Sequence, residues 1–549
     1  MKLLPLCLFI SAASLSLASC SGGRSDQGFN PDDQQLLIGD DIALVRTQYG
    51  MVKGFVYQEV YTFLGIPYGA DTGGENRFMP PVAPEPWDGV LPTVWYPASA
   101  PQMMYDIRSD SYSTFRDQWN YDGISEDCLK LNVWTPGTDD KARPVMVWLH
   151  GGGFSSGNGI EQDGYMGQNF ARRQDVVFVS LNHRLNSFGF SDFAAVGGEK
   201  YKHSGNVGML DIIFALQWVH DNIAAFGGDP GNVTIMGQSG GGAKVCTIAA
   251  MPAAKGLVHK AVALSGSSAG ASDKTMAEAL GAEILKQAGL QPGQIDRLQQ
   301  MPWEEYYALA SRAASELSKR SGKRVGFSPV ADGVDIPEGE FYTSGADNVP
   351  NVPMLFCTTT NEFLSSRDEP ELENMTREEV ISTLRQRYGD NAEAIYEEFR
   401  GIFPDENPWG LYTIISSSRA SVVRCADNKL QQGQPVYMAW FNWYPPLFNG
   451  RPRAFHCLDI SFWFNNTDFM PSHSGGGKQP RMLSEKMAAS LAAFMRTGDP
   501  NTGRRGGLPE WPEYTSETGA LMLLNNDSRV LNDPDRRARE LMATATPRR

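Results

Sequence analysis

Val233-Thr234-Ile235-Met236-Gly237-Gln238-Ser239-Gly240-Gly241-Gly242-Ala243-Lys244-Val245-Cys246-Thr247-Ile248-Ala249-Ala250 passes from a β-branched run, through a glycine-rich turn, into a helix-forming run. A strand, tight turn and helix in that order make a nucleophile elbow, which holds a serine hydroxyl exposed on a strained turn above a parallel sheet. The stretch therefore predicts an α/β fold and serine hydrolase chemistry, with Ser239 as the nucleophile.

Glycine is about a tenth of the chain, with 56 in 549 residues, and the pattern G-x-S-x-G occurs three times. Context chooses among the three. Ser155, in Gly153 to Gly157, sits behind a glycine run and has no helical stretch after it. Ser268, in Gly266 to Gly270, follows the apolar run Ala261-Val262-Ala263-Leu264, but the helical segment 275–287 begins several residues late. Both lose the sharp reversal that pushes a serine oxygen clear of the backbone.

A serine needs a base to take its proton, and the chain has seven histidines. His183, His203 and His259 stand beside Arg or Lys, and His220 beside Asp221, so all four read as surface or cap positions. His473, in a Ser-His-Ser-Gly-Gly-Gly loop, reads as solvated. His150 ends the strand-like run 145–149 and opens His150-Gly151-Gly152-Gly153-Phe154, a motif whose backbone amides form an oxyanion hole and whose ring orients the loop. His456 is left as the base. The acid that orients it falls between serine and histidine in this fold. Glu362 follows the candidate strand 352–357 in the polar loop Thr358-Thr359-Thr360-Asn361-Glu362, with Pro353 tolerable only at the strand's start. Asp335, in Asp332-Gly333-Val334-Asp335, is the runner-up but reads as turn chemistry.

From about Val45 to about Asp533 the chain resembles the type-B carboxylesterases, the family of cholinesterases and bacterial para-nitrobenzyl esterases. The resemblance is carried by Phe63-Leu64-Gly65-Ile66-Pro67-Tyr68, Arg77-Phe78-Met79-Pro80-Pro81, 126–134 (Glu-Asp-Cys-Leu-Lys-Leu-Asn-Val-Trp), 222–230 (Asn-Ile-Ala-Ala-Phe-Gly-Gly-Asp-Pro) and Arg496-Thr497-Gly498-Asp499-Pro500. It implies Ser239 as nucleophile, Glu362 as acid, His456 as base, the amides of Gly152, Gly153 and Gly240 as oxyanion donors, and Ser265 as a support for the acid. The chain also departs from the family. Gln238 replaces a common glutamate, Phe363 stands where relatives tend to have glycine, and Cys128 lacks its usual half-cystine partner near 98–102, which makes it a free buried thiol.

At the N-terminus, Lys2, an apolar core from Leu3 to Leu17 and Leu17-Ala18-Ser19-Cys20 form a leader that resembles a bacterial lipobox. The expectation is a signal peptide over 1–19, lipidation at Cys20, a flexible Ser/Gly/Asp/Gln-rich tether within 20–40, and a location in the cell envelope by a lipid anchor, with secretion as the alternative. Five cysteines remain beyond Cys20, an odd number without regular spacing, which does not make a disulfide framework although one pair could form. No C-x-x-C or H-x-x-x-H spacing suggests a metal, and no cofactor is expected.

Strand-like runs at 145–149, 176–181, 233–236, 261–264 and 352–357 alternate with helices such as 209–225, which predicts a mostly parallel sheet covered on both faces. Amphipathic stretches at 275–319 and 376–403 read as helical cap insertions over the active edge, and 41–545 as one α/β-hydrolase domain. Aromatic residues such as Trp440, Trp443 and Trp463 read mainly as core. A formal charge of −15 argues against nucleic acid as a partner and reads as solubility. The expected function is a carboxylesterase that acts on small-molecule esters through an acyl-enzyme. Two alternatives remain open: a choline-ester hydrolase, for which Trp119-Asn120 would be the cation site, and a non-catalytic binding protein on the same fold. Acyl length, alcohol and oligomeric state are not legible.

Overall fold

The computed structural model describes residues 34–103, 123–343, 346–503 and 507–545. The leader, Cys20, most of the tether and Trp119-Asn120 lie outside the described residues. Leu36–Leu37 is described, and it is not tether: it pairs antiparallel with Phe55–Tyr57 as an edge strand of the main sheet.

Alternation along Arg143–Leu149 creates the two faces of that sheet. Val145, Val147 and Leu149 enter one buried cluster while Met146 and Trp148 enter the other, because successive side chains of a strand point to opposite sides. The first cluster includes Met209, Ile212 and Leu216 of the helix Val207–Asn222, and Val245 and Ile248 of the helix Gly240–Ile248. The second includes Phe170 of Gly167–Gln174, and Leu483, Met487 and Leu491 of Lys478–Thr497. Burial on both faces explains why these strands read as continuous apolar runs.

Among the described residues the sheet has twelve strands. Its parallel centre runs Val177–Leu181, Arg143–Leu149, Gly228–Gln238, Lys260–Leu264, Met354–Thr359, Val436–Phe441 and Ala520–Leu524. Antiparallel strands flank it, Lys130–Thr135 on one side and Arg529–Asn532 on the other. The strand before the elbow is longer than its β-branched core suggested, and Pro353 falls just before Met354, outside the ladder.

The stretch 275–319 is three helices, Lys274–Gln287, Ile295–Gln299 and Trp303–Ser321; the first break holds Gly289 and Gly293 at left-handed φ of 69° and 87°, and the second ends at Pro302. They bury Leu280, Ile284, Tyr306 and Leu309 in a core of their own beside the sheet. In the second stretch, Arg377–Tyr388 starts on a capping box between Thr376 and Glu379. With Ala392–Ile402 it joins the main core, and Ala392–Ile402 meets the C-terminal helix Arg536–Ala543. Among the described residues Cys128, Cys246, Cys357 and Cys425 are free thiols, and burial pushes the Cys128 thiol up.

Candidate active site

The strand Gly228–Gln238 ends directly at Ser239, and the helix Gly240–Ile248 starts at the next residue. Ser239 takes φ 58° and ψ −122°, a conformation disfavoured for a side chain with a Cβ. Two backbone bonds hold it there: its amide donates to the Leu264 carbonyl at 2.8 Å, and its carbonyl accepts from the Ala243 amide at 3.1 Å. Close packing dictates the glycine beside it. A Cβ on Gly240 would lie 2.0 Å from the Gly153 carbonyl oxygen, so only glycine lets the elbow touch the loop that follows His150.

His456 reaches the same edge from a distant part of the chain. Its Nδ1 donates to Glu362 Oε2 at 2.5 Å, and its backbone amide donates to the Glu362 carbonyl, also at 2.5 Å. Glu362 Oε1 accepts from the Thr359 amide at 3.1 Å. Ser265 touches this arrangement one step away, its Oγ 3.4 Å from that same Thr359 amide. The structure thus brings Glu362 to His456 and takes Asp335 elsewhere: Asp335 Oδ2 lies 2.8 Å from Nδ1 of His203. The rival serines are occupied or displaced. Ser268 Oγ donates to the Gly270 carbonyl at 2.7 Å, and Ser155 lies exposed on the loop after Gly153.

Nε2 of His456 faces Gln238, whose amide nitrogen is 3.1 Å away. The same amide nitrogen is 3.4 Å from Nδ1, so it rests against the ring between the two nitrogens, and with Nδ1–H given to Glu362 the lone pair is on Nε2. The other end of the Gln238 amide, Oε1, accepts from Cys457 Sγ at 3.2 Å. Phe363, 77% exposed, lays its ring 4.2 Å from the imidazole centroid.

The loop after His150 is clamped along its length. Gly152 and Gly153 take left-handed φ of 78° and 64°, which turn the chain back across the elbow. Lys244 Nζ donates to the His150 carbonyl at 3.0 Å, Asn186 holds Phe154 and Ser155, and the Gln102 side chain brackets Gly157. Lys244 is fully buried, and burial holds its pKa down at about 7. Its neighbour Glu161 is also buried and is pushed up to about 7 by burial, while Tyr165 donates to it at 2.8 Å. None of Lys244, Glu161, Asn186 or Gln102 was singled out from sequence. A lysine inside the apolar run Ala243-Lys244-Val245-Cys246 was the available signal.

Two histidines differ from their reading as surface or solvated groups. His183 is fully buried and stacks on His150 at 5.1 Å between centroids, and His473 is 3% exposed against Phe455. Burial drives the pKa of both His150 and His183 well down, so the stacked pair is neutral. Adjacent basic residues mislead here because Arg184 spends its charge on buried Asp211, with 2.6 Å between Nη2 and Oδ1.

A strained serine between parallel strand and helix, a histidine held by a carboxylate, and a glycine loop across the elbow define a serine hydrolase of the α/β-hydrolase class. The carboxylesterase family profile matches residues 41–542, and the chain belongs to that family. It is 34% identical to the para-nitrobenzyl esterase of Bacillus subtilis over 506 residues, covering 90% of this chain and 98% of that protein. It is 31% identical to the phenmedipham hydrolase of Pseudarthrobacter oxydans over 503 residues, with coverage of 90% and 98%. Among solved structures, an esterase from Clostridium hathewayi superposes with a TM-score of 0.81 at 33% identity, covering 93% of this chain and all of that one. A Geobacillus stearothermophilus carboxylesterase gives 0.72 at 32%, covering 91% and 100%. The chain is a carboxylesterase acting on carboxylic esters.

Proposed function

We propose that hydrolysis proceeds through an acyl-enzyme on Ser239, with His456 as general base and then acid, Glu362 as its orienting carboxylate, and the amides of Gly152, Gly153 and Gly240 as oxyanion donors. The observation that carries this reading is the 2.5 Å bond from His456 Nδ1 to Glu362, beside the strained turn at Ser239. That bond fixes the tautomer, leaving the in-plane lone pair on Nε2 for the serine proton. Ser239 Oγ then attacks the ester carbonyl. Charge collects on the carbonyl oxygen beside the glycine amides, and the imidazolium returns its proton to the leaving alcohol. Water repeats the sequence on the acyl-enzyme and regenerates Ser239.

Ser239→Ala tests the assignment. It should abolish ester turnover and labelling by a fluorophosphonate while thermal unfolding stays nearly unchanged, and Ser268→Ala should keep both activities. Glu362→Gln should lower kcat by at least about a hundredfold with little change in KM. Labelling that survives Ser239→Ala refutes the nucleophile.

Retention of Ser239, Glu362 and His456 supports an enzyme over a binding protein on this fold. A choline-ester preference has less support: the neutral Gln238 amide is spent on His456 and Cys457, so it offers no negative charge to a cation. Lipid anchoring through Cys20 belongs to this proposal and rests on Leu17-Ala18-Ser19-Cys20.

A further inference from the structure

A cavity of about 620 Å³ opens from Gly153 of the loop beside the elbow and is walled by Phe154, Phe190, Leu280 and Phe327. At its far side stand Lys323 and Arg324, both exposed, just beyond the C-terminus of the helix Trp303–Ser321. Four basic residues cluster at 319–324, and they divide into two pairs. Lys319 pairs with Glu316 and Arg320 with Glu283, at 2.7 and 2.9 Å. Neither Lys323 nor Arg324 forms an ion pair with a carboxylate among the described residues. The one carboxylate in the wall, Asp273, has its Oδ1 engaged as the N-cap of the helix Lys274–Gln287, accepting from the Met276 amide at 3.0 Å.

This leaves two cations at a cavity whose wall combines an aromatic and aliphatic side with Ser155, Ser272 and Ser328, in a chain whose formal charge is −15. The cavity also has a defined place in the reaction. His456 delivers its proton to the leaving alcohol, so the alcohol belongs on the side of His456 and Phe363. The cavity bordered by Gly153, whose carbonyl meets Gly240 of the elbow, is left for the acid part of the ester.

Resting on the acyl-enzyme reading above, we propose that this cavity selects esters whose acid part ends in a carboxylate beyond an apolar spacer, such as monoesters of dicarboxylic acids, with Lys323 and Arg324 as the specificity-determining residues. The spacer lies along the phenylalanine and leucine walls, and the distal carboxylate pairs with the two cations. Because both cations are exposed, the effect is modest and sensitive to salt.

The test compares the 4-nitrophenyl monoester of adipic acid with 4-nitrophenyl hexanoate, which share leaving group and chain length and differ in the terminal carboxylate. The adipate ester should have the higher kcat/KM, by about tenfold at low ionic strength, and added salt should erase the difference. Lys323→Glu with Arg324→Glu should reverse the preference while hexanoate turnover stays within about twofold. An equal or lower kcat/KM for the adipate ester in the wild type, or a preference the double variant leaves intact, overturns the proposal. Failure of the underlying mechanism looks different: hexanoate itself would go unhydrolysed, or its hydrolysis would survive Ser239→Ala.

Discussion

Buried Lys244 donates from Nζ to the backbone carbonyl of His150 at 3.0 Å, tying the helix that follows Ser239 to the loop that crosses it. A charge in that place costs desolvation and is sustained by its hydrogen bond and by the nearby Glu161. Elbow and loop are thereby fixed against each other, at the contact where a Cβ on Gly240 would lie 2.0 Å from the Gly153 carbonyl oxygen.

Lys244→Met should loosen that registry and lower kcat by about tenfold with KM nearly constant, because the loss falls on transition-state contacts. It should also change the pH dependence of stability. The folded-state pKa of Lys244 is held near 7, below its ordinary 10.5, so across that window the unfolded chain binds a proton that the folded chain has released. Stability therefore rises from pH 7 toward 10.5, and this contribution is lost as pH falls through 7. Between pH 7 and 9 the gain from Lys244 is about 2 kcal/mol, and Lys244→Met should lack it in urea unfolding curves. Glu161, pushed up to about 7, acts in the opposite sense but only below that window. Equal slopes in wild type and variant would refute the account.

Gln238 holds its neutral amide nitrogen 3.1 Å from Nε2 and 3.4 Å from Nδ1 of His456. The other titratable groups around this imidazole are Glu362, Cys457 and buried Asp459, which burial pushes up to about 7. In Gln238→Glu a carboxylate replaces the neutral amide and favours the imidazolium, so the acid limb of the kcat/KM profile should move to higher pH by about one unit. An unmoved limb would show that the Gln238 contact does not govern the base.

Cys20 governs the third outcome. A lipidated Cys20 should partition the enzyme with membranes or detergent, and Cys20→Ser should release soluble, active enzyme or leave the leader uncut. Intact mass of the purified protein decides the matter: a chain that starts beyond Cys20 and carries no lipid removes the anchor.

Much of the fold was legible because the strands are buried on both faces and therefore spell out apolar runs, at 145–149 and 261–264 for example. The elbow was legible because its strained turn and close contacts admit few residue types. The cap was less so. The period of the stretch 275–319 suggested amphipathic helix, but the division into three helices with a core of their own depends on how Leu280, Ile284 and Tyr306 meet Phe78 and Phe193.

Sequence alone determined the strand-turn-helix at Ser239 and the glycine loop after His150, features that short-range backbone sterics impose. Only the tertiary structure decided which carboxylate meets which histidine. Glu362 reaches His456 across 94 positions and Asp335 reaches His203 across 132. It also decided that His183 and Lys244 are buried, and that Lys323 and Arg324 face a cavity while their neighbours are paired. Burial and pairing belong to surfaces assembled from distant segments, so a residue's immediate neighbours in the chain carry little information about them.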